Sequence, residues 1–388
     1  MTVDRPEFLM APGPTEVPPD VLQAQAREVP YHRGPRFGAV LRDCMAALQR
    51  ILFTKADVLL FTGSGTLGME SAVVNLCSPG DRILVLNTGN FADRFEKIAK
   101  IYGVQTTVVT YEWGGNARAE DVVRELDADP SITAVFCQHS ETSTGIVNDV
   151  EAIGRVVKDR PQLFVVDGIS AVGAVPLKLD DWGVDVCIGG SQKALMTPPG
   201  VCFVTVSEAA WKVNEAATTP RFYTDWATTH GSLLLDPPES TYTPAVTIFA
   251  AFRRALQILE DEGIEQSWKR HEVLGRACRE GVKAIGLDIL TEEADRAAVL
   301  TAVMAPEGLP AGKIAEHMRA KHGIVLAPGQ GKLKGKMFRI GHCGYYSPRD
   351  ILMGLAALEA TLQTLGYPVK EGAATSAAAS VFREAGLA

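Results

Sequence analysis

Apolar and polar residues follow two different spacings along the first half of the chain. Short apolar runs that end in small or polar residues predict buried strands near residues 57–61, 83–87, 105–111, 132–138, 163–167, 184–189 and 200–206. Apolar residues spaced three or four apart predict helices near residues 37–53, 66–77, 90–102, 118–126, 149–159 and 208–215. This alternation indicates an α/β fold with a mostly parallel seven-stranded sheet, whose ligands bind beyond the carboxyl ends of the strands.

The alternation stops near residue 218. Residues 218–238 are expected to form a loop, although the segment is too aromatic for a simple linker. A long helix is predicted from Pro244 through Leu259, leading into a smaller C-terminal α+β domain. The predicted organisation is an N-terminal extension (1–20), a large domain (21–255) and a small domain (256–388).

Composition narrows the classes of function. The chain has 388 residues, of which 46% are apolar, and a formal net charge of −8, so an extended surface for nucleic acid is not expected. No apolar run is long enough to span a membrane, and the start of the chain lacks the pattern of a signal peptide. The chain ends in Gly386-Leu-Ala388, without a peroxisomal tripeptide. We therefore expect a cytoplasmic protein without a membrane partner.

The seven cysteines are scattered, and the seven histidines show no metal-ligand spacing. This distribution fits neither a disulfide framework nor a zinc site. We therefore predict no metal.

Two ionisable residues, each at the end of an apolar run, are candidate functional residues. Asp167 ends the run Leu163-Phe-Val-Val, and Lys193 follows Ile188-Gly-Gly-Ser-Gln. If both runs are parallel strands, the carboxylate and the amine face one crevice. These are the two groups that a protein supplies to pyridoxal 5′-phosphate (PLP). The alternative is a helix-capping Asp and a surface Lys.

A glycine-rich turn, Thr62-Gly-Ser-Gly-Thr66, joins the strand predicted near residues 57–61 to the helix predicted near residues 66–77. It predicts a phosphate site at the N-terminus of this helix. Gly63, Gly65 and Gly68 also satisfy the motif G-x-G-x-x-G, so a dinucleotide-binding domain is a rival interpretation. That interpretation requires an acid at the end of the next strand, which here ends in Asn87-Thr-Gly. A tight turn with no ligand is the third possibility.

Two further segments lie at expected strand ends. Phe91 could stack on a flat heteroaromatic ring. Residues 139–145, His-Ser-Glu-Thr-Ser-Thr-Gly, place several hydroxyl groups beside the same crevice, although Ser and Thr also cap helices.

Taken in order, these motifs match a known family. The chain resembles the class V aminotransferases of PLP fold type I. The motifs that carry the resemblance are the glycine-rich turn, the aromatic residue, the Ser-Thr-Gly loop, Val166-Asp-Gly-Ile-Ser-Ala-Val-Gly173 and Ser191-Gln-Lys-Ala-Leu-Met-Thr-Pro-Pro-Gly200. The resemblance extends from Ala11-Pro-Gly-Pro-Thr15 to Met337-Phe-Arg-Ile-Gly-His342 and is strongest to the alanine/serine–glyoxylate (or pyruvate) branch.

The resemblance implies a role for each matching residue. Lys193 would hold PLP as a Schiff base, Asp167 would pair with the pyridinium nitrogen, and Phe91 would stack on the ring. Arg339 would bind the substrate carboxylate through its guanidinium fork, and Gly13 would be a second substrate-binding residue. The other implied cofactor contacts are Ser64, Gly65, Thr66, Thr142 and Gln192, together with Tyr242 and Thr243 from a neighbouring subunit.

The resemblance also implies an activity. The expected enzyme moves an amino group from alanine or serine to glyoxylate or pyruvate by a ping-pong mechanism, as a homodimer with shared active sites. Alternatives that stay open are a ureidoglycine- or aspartate-type transaminase, a lyase, and a non-catalytic partner subunit. A cysteine desulfurase is disfavoured because Cys343 follows Arg339 instead of preceding it.

Overall fold

The structure, a computed structural model, describes residues 7–292 and 296–387. The strands of this part of the chain are β1 (Phe8–Met10), β2 (Asp57–Gly63), β3 (Arg82–Asn87), β4 (Gln105–Thr110), β5 (Ile132–Gln138), β6 (Ser140–Glu141), β7 (Ile146–Val147), β8 (Leu163–Asp167), β9 (Val186–Gly190), β10 (Gly200–Val206), β11 (Leu300–Met304), β12 (Ile324–Pro328) and β13 (Met337–Gly341). The seven strands predicted from apolar runs are all present, each within two residues of its expected bounds.

These seven strands form one sheet in the order β2-β10-β9-β8-β5-β3-β4. Strand β10 is antiparallel to both neighbours, and the other adjacent pairs are parallel. The predicted fold class, a mostly parallel seven-stranded sheet, is therefore confirmed. Because β8, β9 and β5 run in the same direction, their carboxyl ends meet along one edge.

Helices cover the sheet and connect its strands. In chain order they are α1 (Pro19–Gln25), α2 (Pro35–Ile51), α3 (Gly65–Leu76), α4 (Ala92–Ile101), α5 (Ala119–Ala128), α6 (Val150–Val157), α7 (Leu179–Trp182), α8 (Glu208–Ala216), α9 (Trp226–Leu233), α10 (Val246–Glu262), α11 (Ile264–Ala284), α12 (Ala311–His322), α13 (Pro348–Thr364) and α14 (Ala373–Glu384). The helices predicted before residue 218 are confirmed as α2 to α6 and α8. The predicted long helix is α10, which ends at Gly263, where φ is +84°.

The segment 218–238 was predicted to be a loop, and this prediction is wrong for its central part. Helix α9 begins there, with the Asp225 side chain accepting a hydrogen bond from the Thr228 amide. The fully buried side chain of Trp226 anchors this helix to the core of the seven-stranded sheet. Its sequence, Trp-Ala-Thr-Thr-His-Gly-Ser-Leu, is a poor helix former, so packing and capping decide the conformation.

A second, four-stranded sheet has the order β1-β12-β13-β11. Strand β1 pairs in parallel with β12, with Phe8 opposite Ile324. The beginning of the described chain is therefore joined to the sheet formed near its end. The predicted domain boundaries are not tested by this pairing and stay predictions.

Each sheet has its own apolar core. The large core includes Phe136, Phe164 and Phe203, whereas Met10 and Phe338 belong to the core of the small sheet. Among the described residues, no helix combines the length and the apolar character that crossing a bilayer requires.

Candidate active site

Asp167 and Lys193 lie at the carboxyl ends of neighbouring parallel strands. Asp167 is the last residue of β8 and is buried, with only 6% of its surface exposed. Lys193 lies three residues beyond β9, which pairs with β8 so that Ile188 is opposite Asp167. The predicted arrangement of an acid and an amine in one crevice is present.

The Asp167 carboxylate is held from two sides. Its Oδ1 accepts a hydrogen bond from the Ile169 amide at 2.9 Å, and its Oδ2 accepts one from Gln138 Nε2 at 3.3 Å. Burial raises the pKa of Asp167, although these two bonds and the nearby Arg94 and Lys193 oppose the rise. A cationic N–H group beside the carboxylate would favour its ionised form.

The Lys193 amine contacts the N-terminal segment of the chain. Its Nζ donates a hydrogen bond to the Pro12 carbonyl at 2.6 Å, and the Thr15 hydroxyl donates to the Lys193 carbonyl at 3.0 Å. A Cβ atom on Gly13 would lie 2.4 Å from this Nζ, so glycine is required where the segment passes the lysine. Burial lowers the pKa of Lys193.

A cavity of about 310 Å³ adjoins both residues. It brings together most of the site residues predicted from the sequence. Those in its wall are Gly13, Ser64, Gly65, Thr66, Phe91, Thr142, Asp167, Gln192 and Lys193.

The glycine-rich turn leads directly from β2 into α3 at this cavity. Helix α3 begins at Gly65, and the amides of its first turn lack partners within the helix, as at any helix N-terminus. A Cβ atom on Gly65 would lie 2.3 Å from Ile169 Cδ1, so the turn packs against the residues that follow Asp167. The cavity therefore has a positively polarised wall close to the carboxylate.

Glu141 fixes the loop that carries Phe91. This fully buried carboxylate accepts hydrogen bonds from the amides of Phe91 at 3.0 Å and Ala92 at 2.9 Å, at the start of α4. Its second oxygen accepts bonds from the amide and the hydroxyl of Ser143, at 3.0 and 2.6 Å. Burial raises the pKa of Glu141, and the bonds from Ser143 and Ala92 oppose the rise. Sequence reasoning missed this residue because its role depends on two loops that meet only in the fold.

Arg339 lies next to the cavity wall, on β13 of the small sheet. Its guanidinium donates to the Thr142 carbonyl at 2.6 Å and, through Nε and Nη2, to the Pro328 carbonyl. These bonds use three of its five N–H donors, which leaves two for a ligand. Burial lowers the pKa of Arg339 to about 10, opposed by the Glu141 charge, so the group stays protonated at neutral pH.

Tyr242 and Thr243 lie outside the cavity wall of their own chain. The Tyr242 ring stacks on Tyr223 with centroids 4.9 Å apart, and its hydroxyl donates to the Phe222 carbonyl at 3.0 Å. Thr243 is exposed.

Several cavity residues were not assigned from the sequence. Arg94 and Ser140 are two polar examples. Ser140 lies within the hydroxyl-rich segment 139–145, whereas no spacing in the sequence marks Arg94 as a cavity residue. Ser140 Oγ and Gln192 Oε1 are buried without a hydrogen-bond partner. Buried polar atoms are normally paired, so both indicate a ligand site. No group of His, Cys, Asp and Glu side chains within the described ranges is arranged to hold a metal ion.

The chain is similar to aminotransferases over nearly its full length. A family model described as aminotransferase class V matches residues 7–340. A protein of Synechococcus sp. named soluble hydrogenase, small subunit, is 40% identical over 97% of this chain and 99% of its own. The serine–glyoxylate aminotransferase of Methylorubrum extorquens is 34% identical over 98% of this chain and 97% of its own.

Among solved structures, the ureidoglycine–glyoxylate aminotransferase of Bacillus subtilis superimposes with a TM-score of 0.94 at 30% identity. The match covers 98% of this chain and 99% of that chain.

The four bonds to Glu141 predict that Glu141→Gln destabilises the protein. A glutamine amide keeps one oxygen, so its NH₂ group would face two buried donors and leave them unpaired. At about 1–3 kcal/mol for each such donor, the free energy of unfolding of the cofactor-free protein should fall by roughly 2–6 kcal/mol. Urea unfolding followed by tryptophan fluorescence measures this change.

Glu151→Gln is the matched control, because it removes the same charge from an exposed ion pair with Arg155. A loss no larger in Glu141→Gln than in this control would contradict the assigned role of Glu141.

Proposed function

Because the chain belongs to the class V aminotransferase family, we propose that it transfers the amino group of alanine or serine to glyoxylate or pyruvate. Enzymes of this family depend on PLP. The observation that carries the proposal is that the Lys193 amine and the Asp167 carboxylate share one cavity, while the Arg339 guanidinium is bonded to Thr142 in the wall of that cavity. A scaffold protein has no use for these three groups together.

The cavity residues fit PLP in chemistry. A lysine amine can bind the aldehyde, and the buried Asp167 can pair with a protonated ring nitrogen. The N-terminus of α3 can receive the phosphate. The unpaired Ser140 Oγ and Gln192 Oε1 offer polar contacts, and Phe91 offers an aromatic face.

In the proposed reaction, Asp167, Lys193 and Arg339 each have a separate role. PLP, when bound, supplies an electron sink for the bonds at the substrate Cα. Asp167 holds the proton on the ring nitrogen, which keeps that sink effective. The Lys193 amine removes the proton from the substrate Cα, and its lowered pKa increases the fraction of neutral amine available as a base. Arg339 orients the substrate by its two free N–H donors.

Small donors are favoured by the confined space around the lysine amine. The Gly13 backbone lies so close to Lys193 Nζ that even a methyl group at that position would collide with the amine. The name of the Methylorubrum relative supports serine as the donor and glyoxylate as the acceptor. The ping-pong order follows because donor and acceptor would use the same Lys193 and Arg339 in turn.

A non-catalytic partner subunit is the alternative function, because a relative carries a hydrogenase-subunit name. A non-catalytic subunit has no need of an amine and a carboxylate enclosed in a cavity, where both lose solvation. These groups therefore favour catalysis. A cytoplasmic location stays a prediction from the sequence.

The proposed reaction predicts two spectral changes in the purified holoenzyme. L-alanine or L-serine should abolish the visible absorption of lysine-bound PLP, and glyoxylate or pyruvate added after removal of the donor should restore it. L-aspartate and ureidoglycine are the donors to compare. A band that only these two abolish would contradict the proposed donor class, and a band that no amino acid changes would favour the partner-subunit interpretation.

Arg339→Lys is the informative variant, because it keeps the charge and loses the planar fork. It should retain the resting spectrum and raise the KM for the amino donor by about ten- to a hundredfold, the effect of weakening a charged hydrogen-bond pair. An unchanged KM would remove Arg339 from the substrate site.

We also propose a homodimer with shared sites, from the position of Tyr242 and Thr243. These residues lie outside the cavity of their own chain, and the neighbouring surface exposes large apolar side chains, with Phe222 79% and Leu234 70% exposed. Exposed apolar surface of this kind is typical of protein contacts. Tyr242 and Thr243 would then reach the cavity of the second subunit.

Mixed dimers test this arrangement. We expect Lys193→Ala and the double variant Tyr242→Ala/Thr243→Ala each to lose most activity as pure proteins. After the two are unfolded together and refolded, activity should return, since one site in each mixed dimer combines an intact lysine with an intact partner segment. Sedimentation velocity should give twice the chain mass of 41.6 kDa. A monomer, or mixing without recovery, would contradict shared sites.

A further inference from the structure

The phosphate end of the cavity needs a positive charge that the family resemblance does not provide. A phosphate group carries about −1.5 to −2 charges near neutral pH. The residues implied to bind it supply only amides and hydroxyls, and the N-terminus of α3 contributes about half an elementary charge. The net charge of the chain, −8, adds no general attraction for an anion.

Arg94 is a cation in the wall of this part of the cavity. Its Nη1 donates a hydrogen bond at 2.8 Å to Thr66 Oγ1, in the first turn of α3. Its guanidinium carbon lies 4.9 Å from the centroid of the Phe91 ring. These two contacts fix the guanidinium between the helix N-terminus and the aromatic residue expected to stack on the cofactor.

Arg94 is not part of a surface ion pair. The acid next to it, Asp93, pairs with Lys97 on the outer side of α4. Among the described residues, Thr66 is the one hydrogen-bond acceptor that the Arg94 side chain contacts. Four of its five N–H donors are therefore available to an anion in the cavity.

We propose that Arg94 binds the phosphate group of PLP and neutralises part of its charge. The inference rests on the proposed function, since it concerns how the same cavity holds the cofactor. Arg94 reaches the phosphate because Thr66, its hydrogen-bond partner, belongs to the helix turn that receives the phosphate.

Comparing the binding of PLP with that of pyridoxal, which lacks the phosphate, distinguishes a contact between Arg94 and the phosphate from a general effect of Arg94 on the shape of the site. The full-length protein is freed of cofactor and titrated with PLP and with pyridoxal, and the visible absorption of the lysine-bound ligand gives each dissociation constant. Arg94→Gln should raise the Kd of PLP by about ten- to a hundredfold, the range for losing hydrogen bonds to a charged group. The Kd of pyridoxal should change by less than about twofold.

Lys97→Gln is the matched control. It removes one positive charge from the same helix, at a side chain that is 67% exposed and paired with Asp93. Both Kd values should equal those of the wild type. Arg94→Lys keeps the charge without the fork, should show an intermediate Kd for PLP, and provides the same comparison if the glutamine variant does not fold.

Three results would overturn the inference. The Kd of PLP could be unchanged in Arg94→Gln, or the Kd values of PLP and pyridoxal could rise by the same factor, which would mean that Arg94 acts through the shape of the site. Alternatively, only the KM for a dicarboxylic donor such as aspartate could rise, which would move Arg94 to the substrate side chain. Failure of the wild-type protein to bind PLP at all would instead contradict the proposed function.

Discussion

Enclosing an amine and a carboxylate in one cavity is the constraint on which the rest of the site depends. Burial shifts both groups toward their neutral forms, because it lowers the pKa of Lys193 and raises that of Asp167. The protein opposes this with donors to Asp167 from Ile169 and Gln138 and with the Pro12 carbonyl at Lys193. A ligand with an aldehyde and a basic ring nitrogen uses both tendencies, since it takes the neutral amine and supplies a cation to the acid.

The small sheet and the N-terminal segment complete this enclosure. Strand β1 belongs to the small sheet, and the residues after it carry Pro12 and Gly13 to the lysine amine. A Cβ atom on Gly341 would lie 2.3 Å from the backbone of Ala11, so the segment lies directly on β13. Because β13 also carries Arg339, the segment that contacts the lysine and the group proposed to bind the substrate are held by the same sheet. The active site therefore depends on both sheets.

The sequence predicted what local patterns encode. A strand buried on both faces is a continuous apolar run, so β8 and β9, and the residues that follow them, could be located to within two residues. The pairing of β1 with β12 could not, because Phe8 and Ile324 are far apart in the chain and only the fold brings them together. Helix α9 was missed because it depends on the burial of Trp226 more than on helix propensity. Glu141 and Arg94 were missed for a related reason: each acts across two loops or helices, and no spacing in the sequence records that contact.

The central claim is that Lys193 is the residue that holds the cofactor. Reduction of the holoenzyme with borohydride fixes PLP to its amine, and digestion followed by mass spectrometry locates the modified residue. We predict a single modified peptide, the one that contains Lys193, and none from exposed lysines such as Lys332. Modification of another lysine, or of none, would contradict the account.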